Sequence, residues 1–280
     1  MKLKEATKDT LFRYRVLTGH LRLTPDFIII GAQRCGTTSL YNYLIGHPSV
    51  APALTKEVHF FDRNFHRGSG WYGAHFPSVA SKYYAAQVRG KRFTTGESSP
   101  YYIFHPLAPG RIAEMLPAVK LIVLLRDPID RAFSHYHHEV RLGMETLSFE
   151  EALAREEERL DGEREKVVRD EEYNSFNHQH YSYLSRGVYM DQLQVWASLF
   201  PKEQTLVLGS EDFYDDPEPT LRRTLEFLEL PDWRPEEFAR YNFGATPDMD
   251  AGARRRLADY FRPHNARLYE FLDRDFGWGR

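Results

Sequence analysis

The chain of 280 residues has a single cysteine, Cys35, so it cannot form an internal disulfide. It also lacks any long apolar run. The longest ones, residues 27–30 and 121–125, have the length of strands, far below the ~20 residues that cross a bilayer. We therefore expect no membrane-spanning helix and a cytoplasmic location, with peripheral association with a membrane left open.

The chain carries no strong excess of either charge. Its 37 basic and 40 acidic residues give a formal net charge of -3, which argues against a protein that coats nucleic acid. Hydrophobic residues make up 42% of the sequence, enough to bury a sizeable core. We expect a folded protein that does not bind nucleic acid.

Short apolar runs alternate with segments of helical spacing. Buried strands are predicted at residues 26–31, 120–126 and 204–209. Helices are predicted at residues 37–45, from about residue 129, and at 217–228 and 260–272. This alternation predicts an α/β fold with three layers, similar to P-loop folds, in which helices flank a central parallel sheet.

The sequence predicts one domain with two additions. Residues 1–25 are basic with apolar positions at helical spacing, which predicts an amphipathic helix that leads into a single domain at residues 26–280. A helical insertion is expected around residues 149–183. Its charged part, residues 149–172, is typical of a solvated helix with i,i+4 ion pairs.

The strongest local motif is GAQRCGTTS, residues 31–39, which we call the phosphate loop. It lies between a predicted strand and a predicted helix, where backbone N–H groups and the helix dipole bind anions. Arg34 adds a positive charge, and Thr37, Thr38 and Ser39 add hydroxyl donors. The motif indicates a site for a phosphate group.

The phosphate loop differs from that of nucleoside triphosphatases. Those loops continue with Gly-Lys-Ser/Thr, whereas Gly36 is followed by Thr37 and the cation is Arg34, inside the loop. No strand ends in an obvious acidic residue for Mg²⁺. A phosphate that needs no metal fits better than ATP hydrolysis.

Two histidine-containing segments have other interpretations. His135, His137 and His138 would not bring three rings to one ion at their helical spacing, so we expect no metal site. The polar and aromatic residues 177–183 suit a polar acceptor, with a plain loop as the alternative.

Four further blocks identify a family. They are KEVHFFD at 56–62, GESSPYY at 96–102, LLRDPIDRAFSHY at 124–136 and SRGVY at 185–189. In this order and spacing the chain resembles sulfotransferases that use 3′-phosphoadenosine 5′-phosphosulfate (PAPS), and most of all the branch with heparan sulfate sulfotransferases and bacterial relatives. The resemblance covers residues 26–230. It implies an enzyme that transfers a sulfuryl group from PAPS to a hydroxyl or amine and releases adenosine 3′,5′-bisphosphate (PAP).

The resemblance also implies nucleotide-binding residues. Arg126 and Ser134 would hold the 3′-phosphate, and Arg186 and Gly187 would lie near this phosphate or the adenine. Arg254, in a mobile basic loop, would close over the nucleotide, with a solvated charge cluster as an equal alternative. The 5′-phosphosulfate end would lie on Arg34, Cys35, Gly36, Thr37, Thr38 and Ser39.

For catalysis the resemblance favours Glu97 as the general base, with His59 in reserve. Lys56 and Arg34 would stabilise the bridging oxygen and the sulfuryl group. A saccharide, lipid, polyketide or small metabolite remains open as the hydroxylated acceptor. Two alternatives stand beside this prediction: a P-loop kinase or NTPase, and a non-catalytic module that binds phosphate or glycan.

Overall fold

The structure is a computed structural model that describes residues 2–89, 92–239, 241 and 247–279. At its centre lies a five-stranded sheet in the order β2-β3-β1-β4-β5, and all four strand pairs are parallel. The strands are β1 (Phe27–Gly31), β2 (Val50–Pro52), β3 (Thr94–Ser98), β4 (Lys120–Leu125) and β5 (Thr205–Gly209).

Helices cover both faces of the sheet. The α-helices of the described residues are α1 (Lys2–Leu17), α2 (Thr37–Gly46), α3 (Phe60–Arg63), α4 (Gly68–Gly73), α5 (Val79–Arg89), α6 (Ala108–Met115), α7 (Pro128–Arg141), α8 (Phe149–Ala154), α9 (Glu156–Leu160), α10 (Glu163–Arg169), α11 (Phe176–His180), α12 (Tyr189–Leu199), α13 (Ser210–Asp215), α14 (Pro217–Phe227) and α15 (Ala251–Leu272). Short 3-10 turns lie at Gly19–Leu21, Phe65–Arg67, Ser185–Gly187 and Lys202–Gln204.

The central strands are buried on both faces, which is why β1 and β4 are almost continuously apolar. The neighbouring strand β3 has the sequence TTGES and is equally buried. Its polar side chains find partners inside the protein: Thr95 Oγ1 donates to the carbonyl of Ala51 at 2.8 Å. The predicted three-layer α/β fold is confirmed, although β2 and β3 carry no apolar run that would predict them.

The prediction of one helix at residues 149–172 is wrong, although most of the segment is exposed to solvent as predicted. This segment forms three short helices, and carboxylates from it face inward. Glu156 accepts the backbone N–H groups of Leu184 at 2.6 Å and Ser185 at 2.8 Å, and Glu163 accepts the hydroxyl of Tyr173 at 2.8 Å. A carboxylate is tolerated inside a protein when donors satisfy it, so these two glutamates attach an otherwise mostly exposed segment to the rest of the protein.

Helix α15 begins earlier than predicted and includes the basic run at residues 253–256. Asp250 caps it by accepting the backbone N–H of Ala253 at 2.8 Å. Arg254 therefore lies in the first turn of a helix. The prediction of a mobile basic loop at this position is wrong.

Helix α1 packs against the protein, as expected for the amphipathic segment. Arg15 donates to the carbonyls of Ala74 at 2.6 Å and Phe76 at 2.7 Å. The ring of Phe12 meets Trp71 edge to face, with centroids 6.1 Å apart. Among the described residues, none of the helices combines the length and the apolar sequence that a membrane crossing requires.

The sheet order brings two strand ends together. The chain passes from β1 to strands on one side of it, and then returns to place β4 on the other side. In parallel sheets, ligands bind at such a reversal, beyond the carboxyl ends of the strands. The phosphate loop follows β1 and Arg126 follows β4, so both lie at this reversal.

Candidate active site

The phosphate loop leaves β1 and ends in the first turn of α2. Two of its residues have left-handed backbone, Arg34 with φ 71° and Gly36 with φ 88°. The hydroxyl of Ser210 fixes the loop from the side of β5, donating to the carbonyl of Cys35 at 2.7 Å. Left-handed backbone at a residue other than glycine costs about 1–3 kcal/mol and is often found at binding sites. The conformation of Arg34 therefore fits a functional loop.

The two predicted phosphate sites adjoin each other. Arg34 Nε donates to Ser134 Oγ at 3.1 Å, and Arg126 Nη1 donates to the carbonyl of Arg34 at 3.4 Å. Ser134 lies on α7, the helix that follows Arg126. The structure therefore joins the strand–helix junctions after β1 and β4 at one place.

These residues line a cavity of about 710 Å³, which we call the nucleotide cavity. Its polar wall holds most of the predicted nucleotide-binding residues, including the helical Arg254. They are Arg34, Gly36, Thr37, Thr38, Ser39, Arg126, Ser134 and Arg254.

Aromatic rings form much of the remaining wall of the nucleotide cavity. They are Tyr43, Phe133, Phe213, Tyr214, Phe238 and Tyr241. The guanidinium of Arg126 lies 5.9 Å from the ring centroid of Tyr214. Aromatic faces stack well on planar rings, so this wall suits the adenine of a nucleotide.

Three predicted nucleotide-binding residues do not line the cavity. Cys35 is fully buried, and burial raises the pKa of its thiol to about 11. Gly187 packs inside the protein, where an added Cβ would lie 2.8 Å from the ring of Phe261. Neither side-chain position faces the nucleotide, because both lie in the protein core.

Arg186, the third of these residues, braces the phosphate loop from behind. Its buried guanidinium donates to the carbonyls of His178 at 3.1 Å and Gln179 at 2.8 Å, and to Ser182 Oγ at 3.0 Å. It also donates to the side-chain oxygen of Gln33 in the phosphate loop. Arg186 therefore supports the loop, and its guanidinium is engaged by groups of the protein itself.

A second cluster lies in the 56–62 segment (KEVHFFD). Glu57 accepts Lys56 Nζ at 2.7 Å and pairs with His59 Nε2 at 3.2 Å. The other ring nitrogen, His59 Nδ1, lies 2.6 Å from the buried carboxylate of Asp62. The Glu57 side chain is 40% exposed, so its carboxylate is accessible from solvent.

These contacts fix the charges of the cluster. Burial acts to raise the pKa of Glu57, but the His59 and Lys56 contacts together lower it to about 2. Burial acts to lower the pKa of His59, but its bonds to Asp62 and Glu57 raise it to about 9. At neutral pH Glu57 is therefore ionised and His59 is protonated.

Glu97 lies behind this cluster and is fully buried. Its carboxylate accepts the hydroxyls of Tyr72 at 2.7 Å and Ser99 at 2.6 Å, and the backbone N–H of Val58 at 3.3 Å. Burial raises its pKa to about 7. The structure therefore presents no face of Glu97 to an acceptor.

His138 lies on α7, the helix that also carries Ser134 of the nucleotide cavity. Its pKa is lowered by burial first and then by the cation of Arg34, while Glu139 and Glu57 act in the opposite direction. Both Arg34 and Glu57 are thus close enough to His138 to interact with it.

The sequence matches a known family over most of its length. Residues 24–241 match the family model described as Sulfotransferase domain. The chain belongs to the sulfotransferase family. This result confirms the resemblance, the fold class and the enzyme class that the sequence predicts, and it disfavours the kinase and the non-catalytic module.

Several relatives of this sulfotransferase are known. The membrane-associated sulfotransferase kil1 of Dictyostelium discoideum is 27% identical over 342 residues, covering 99% of this chain and 71% of the relative. The heparan sulfate glucosamine 3-O-sulfotransferase 3B1 of Mus musculus is 30% identical over 278 residues, covering 91% and 65%. The chain thus spans about two thirds of the length of these curated relatives.

A solved structure is also similar to this sulfotransferase. The crystal structure of a sulfotransferase from Alicyclobacillus acidocaldarius has 32% sequence identity and a TM-score of 0.67. The match covers 91% of this chain and 98% of that chain. The bacterial enzyme thus shares nearly the whole of this fold.

Two residues of this sulfotransferase, Glu57 and Asp62, were not predicted from the sequence. Both lie in the KEVHFFD block that supported the resemblance, and Lys56 and His59 of the same block were singled out. The spacing of the block offered a signal, because one carboxylate lies two residues before His59 and another lies three residues after it. Only the structure shows that the three side chains form a chain of contacts.

Proposed function

We propose that this sulfotransferase binds PAPS in the nucleotide cavity and transfers the sulfuryl group to an acceptor beside Glu57, releasing PAP. One observation carries the proposal. The hydrogen bond from Arg34 to Ser134 joins the predicted sites for the two ends of the donor in a single cavity. Both the hydroxyl and the amine acceptors expected from the sequence are compatible with this arrangement.

The residues present fit PAPS. The volume of about 710 Å³ falls within the range of roughly 300–1,000 Å³ that small-molecule sites occupy. Arg126 and Ser134 offer a cation and a hydroxyl to one phosphate, and the phosphate loop with the start of α2 offers N–H groups to the other. When bound, PAPS would supply a sulfuryl group linked to a phosphate that leaves readily.

We assign the role of general base to Glu57, because its carboxylate is ionised at neutral pH and exposed to solvent. Its ionised carboxylate takes the proton of the acceptor as the acceptor atom forms its bond to sulfur. The bond between sulfur and the bridging oxygen breaks, and its electron pair remains on the 5′-phosphate. Arg34 and the N-terminus of α2 stabilise the negative charge that develops there.

Lys56 adjusts the strength of this base. As long as its ammonium group contacts Glu57, it helps to hold the pKa of that carboxylate low. If Lys56 turns towards the sulfuryl oxygens during transfer, the carboxylate loses a neighbouring cation and its pKa rises. A base is most effective when its pKa approaches the working pH. One movement would then stabilise the transferred group and activate the base.

This assignment takes the place of the two bases favoured by the sequence. His59 is protonated at neutral pH and both of its nitrogens have carboxylate partners, so it has no free lone pair for a proton. Glu97 is buried under Val58 and four hydrogen-bond donors occupy its oxygens. Glu57 is the carboxylate of this region with an exposed face.

We further propose that the acceptor is a hydroxyl of an amino sugar in a glycan. The support is the mouse relative, whose name specifies the glucosamine of heparan sulfate. Lipids, polyketides and small metabolites are then the acceptors that an experiment has to exclude. The cytoplasmic location stays a prediction.

The proposal is tested by supplying ³⁵S-labelled PAPS together with heparan sulfate, and in parallel with a cell extract. Transfer of label to heparan sulfate supports both the sulfotransferase activity and the proposed glycan acceptor. Label on another class of molecule supports the activity and contradicts only the proposed acceptor. Absence of transfer to any acceptor, or failure to bind PAP, contradicts the proposed function.

A variant tests the base. Glu57→Gln is expected to lower kcat by about 10²–10⁴-fold, the usual contribution of a general base, with the PAP dissociation constant unchanged. Glu158→Gln, which removes an exposed carboxylate paired with Arg155, serves as the matched control. Full turnover by Glu57→Gln would show that another group accepts the proton.

A further inference from the structure

The 56–62 segment is attached to the end of β3 and the turn that follows it. Three successive backbone N–H groups of the segment bond to side chains there: Val58 to Glu97 at 3.3 Å, His59 to Ser99 at 3.2 Å and Phe60 to Tyr102 at 2.9 Å. The carbonyl of Lys56 accepts the N–H of Ser98 at 3.0 Å. The backbone on both sides of Glu57 is therefore fixed by this turn.

The two hydroxyls in this set depend on Glu97. Ser99 Oγ donates its single hydrogen to Glu97 at 2.6 Å, and the hydroxyl of Tyr102 donates to Glu97 at 3.2 Å. A hydroxyl that donates its hydrogen in one direction presents its lone pairs in the others. The carboxylate of Glu97 thereby orients both hydroxyls to accept the N–H groups of the 56–62 segment.

All the partners of Glu97 are donors. Tyr72, at 2.7 Å, joins Ser99, Tyr102 and Val58 around its two oxygens. Above its pKa of about 7 the carboxylate of Glu97 is ionised and only accepts hydrogen bonds, whereas a glutamine has an NH₂ group that can only donate. Glutamine at this position would fill the same space, but its NH₂ hydrogens would point at the hydrogens of the surrounding N–H and O–H donors. The donors then have to turn away.

The segment held in this way has a conformation that needs support. His59 has left-handed backbone, with φ 51°, and its ring touches both Glu57 and Asp62. Left-handed backbone at such a residue persists only where its surroundings impose it. The amide of His59 itself is one of those held through Ser99.

We infer that Glu97 is a positioning residue: it orients the hydroxyls of Ser99 and Tyr102, which hold the 56–62 segment so that Glu57 and His59 keep their contact. The inference deepens the proposed function, since its catalytic consequence rests on Glu57 being the base. Its structural content is independent of any activity.

The structural part is tested by amide hydrogen exchange in Glu97→Gln. The amides of Val58, His59 and Phe60 are expected to exchange at least about 10-fold faster than in wild type, as for the loss of one or two hydrogen bonds. Peptides from the phosphate loop should not change. Unchanged protection of the 56–62 segment would overturn the inference.

Two further variants sharpen this measurement. Tyr102→Phe removes only one of the oriented hydroxyls, so it should raise exchange at Phe60 more than at Val58. Glu163→Gln alters another buried carboxylate that accepts tyrosine and serine hydroxyls, and serves as the matched control. Faster exchange of the 56–62 segment in Glu163→Gln as well would mean general loosening and would overturn the inference.

The catalytic part is tested by a double-mutant cycle with ³⁵S-labelled PAPS and heparan sulfate. Glu97→Gln alone should lower kcat by about 10–100-fold with PAP affinity retained, and should add less than about 3-fold in a Glu57→Gln background, because residues that act as a unit are not additive. Additive losses would show that Glu97 acts independently of Glu57. If wild type transfers label to another acceptor instead, the cycle is measured with that acceptor; if it transfers label to none, the proposed function fails while the exchange result still decides the role of Glu97.

Discussion

Arg34 and Arg126 bring positive charges close together in the nucleotide cavity. Burial is the largest cause of the lowered pKa of Arg34, and the cations of Arg141 and Arg126 lower it further. Like charges held together in this way repel each other, and a bound anion relieves the repulsion. The arrangement is therefore more stable when anionic groups of a ligand occupy the nucleotide cavity.

Arg126 gives a direct test of this point. Arg126→Ala is expected to weaken PAP binding by at least about 10-fold, because a hydrogen bond to a charged group contributes roughly 1.5–3 kcal/mol. Isothermal titration calorimetry with PAP measures the change. Arg222→Ala, which removes an exposed arginine paired with Glu218, is the control. A dissociation constant equal to that of wild type would refute the assignment of Arg126 to the 3′-phosphate.

The ionisation of His59 predicts how activity depends on pH. Its pKa in the folded protein is raised from 6.5 to about 9, so the contacts of the charged ring are fully present below about 6.5 and are lost as the pH rises through 9. We expect kcat to decline along an alkaline limb near this pH. A pH profile of His59→Asn should lack the limb. The same limb in both proteins would exclude His59 as its source.

The difference between Glu57 and Glu97 shows where prediction from sequence ends. Each lies in a block that supports the family resemblance, and the residue types alone favour neither. Glu97 pairs with Ile28 in the register of β3 and β1, which buries it, while Glu57 lies in a segment outside the sheet. The difference in solvent exposure between the two carboxylates therefore depends on β3, a strand that has no apolar pattern in the sequence. Arg34 was predictable from the phosphate-loop motif after β1, whereas Arg126 and Ser134 were predicted from the family resemblance.

At the scale of elements, the packing of α15 against α7 shapes the nucleotide cavity. The turn Ser185–Gly187 lies between them, and an added Cβ at Gly187 would meet Phe261 of α15 at 2.8 Å and Pro128 of α7 at 3.1 Å. Arg254, near the start of α15, contacts Asp130 of α7 and lines the cavity. Separation of the two helices would therefore also move a wall of the cavity.

Gly187→Ala tests this packing. We expect it to destabilise the protein by about 1–3 kcal/mol, as overpacking of a close-packed interior does, and to weaken PAP binding as well. Urea unfolding and calorimetry measure the two effects. Gly110→Ala, in α6 where an added Cβ meets nothing within 4 Å, should be neutral or slightly stabilising. Equal stability of Gly187→Ala and wild type would contradict the close packing of α15 on α7.

The insertion shows a second limit of prediction at this scale. Its charged composition is typical of a solvated surface, yet Glu156 and Glu163 are buried. Their donors are backbone N–H groups and hydroxyls from residues 173–185, which follow in the chain and have no distinctive spacing. The early start of helix α15 was also not predictable, because the basic run at its start carries no apolar pattern.

At the scale of the whole molecule, the nucleotide cavity is built from parts of the chain that are far apart in sequence. The phosphate loop, the residues that follow β4 and the start of α15 all contribute to it. A ligand that contacts all three stabilises the native state as a unit, since these contacts do not exist in the unfolded chain. The gain grows with ligand concentration and reaches about 2.7 kcal/mol at 100 times the dissociation constant.

Because a bound ligand raises the stability of the native state, the contributions of the two phosphate sites can be distinguished in one experiment. PAP carries both a 3′- and a 5′-phosphate, whereas adenosine 5′-monophosphate lacks the group assigned to Arg126 and Ser134. At equal concentrations PAP should therefore raise the melting temperature clearly more than the monophosphate, and Arg126→Ala should reduce that difference. Thermal unfolding followed by fluorescence measures both. If the two nucleotides stabilise wild type equally, the residues after β4 do not recognise a 3′-phosphate, and the cavity binds its ligand through the phosphate loop alone.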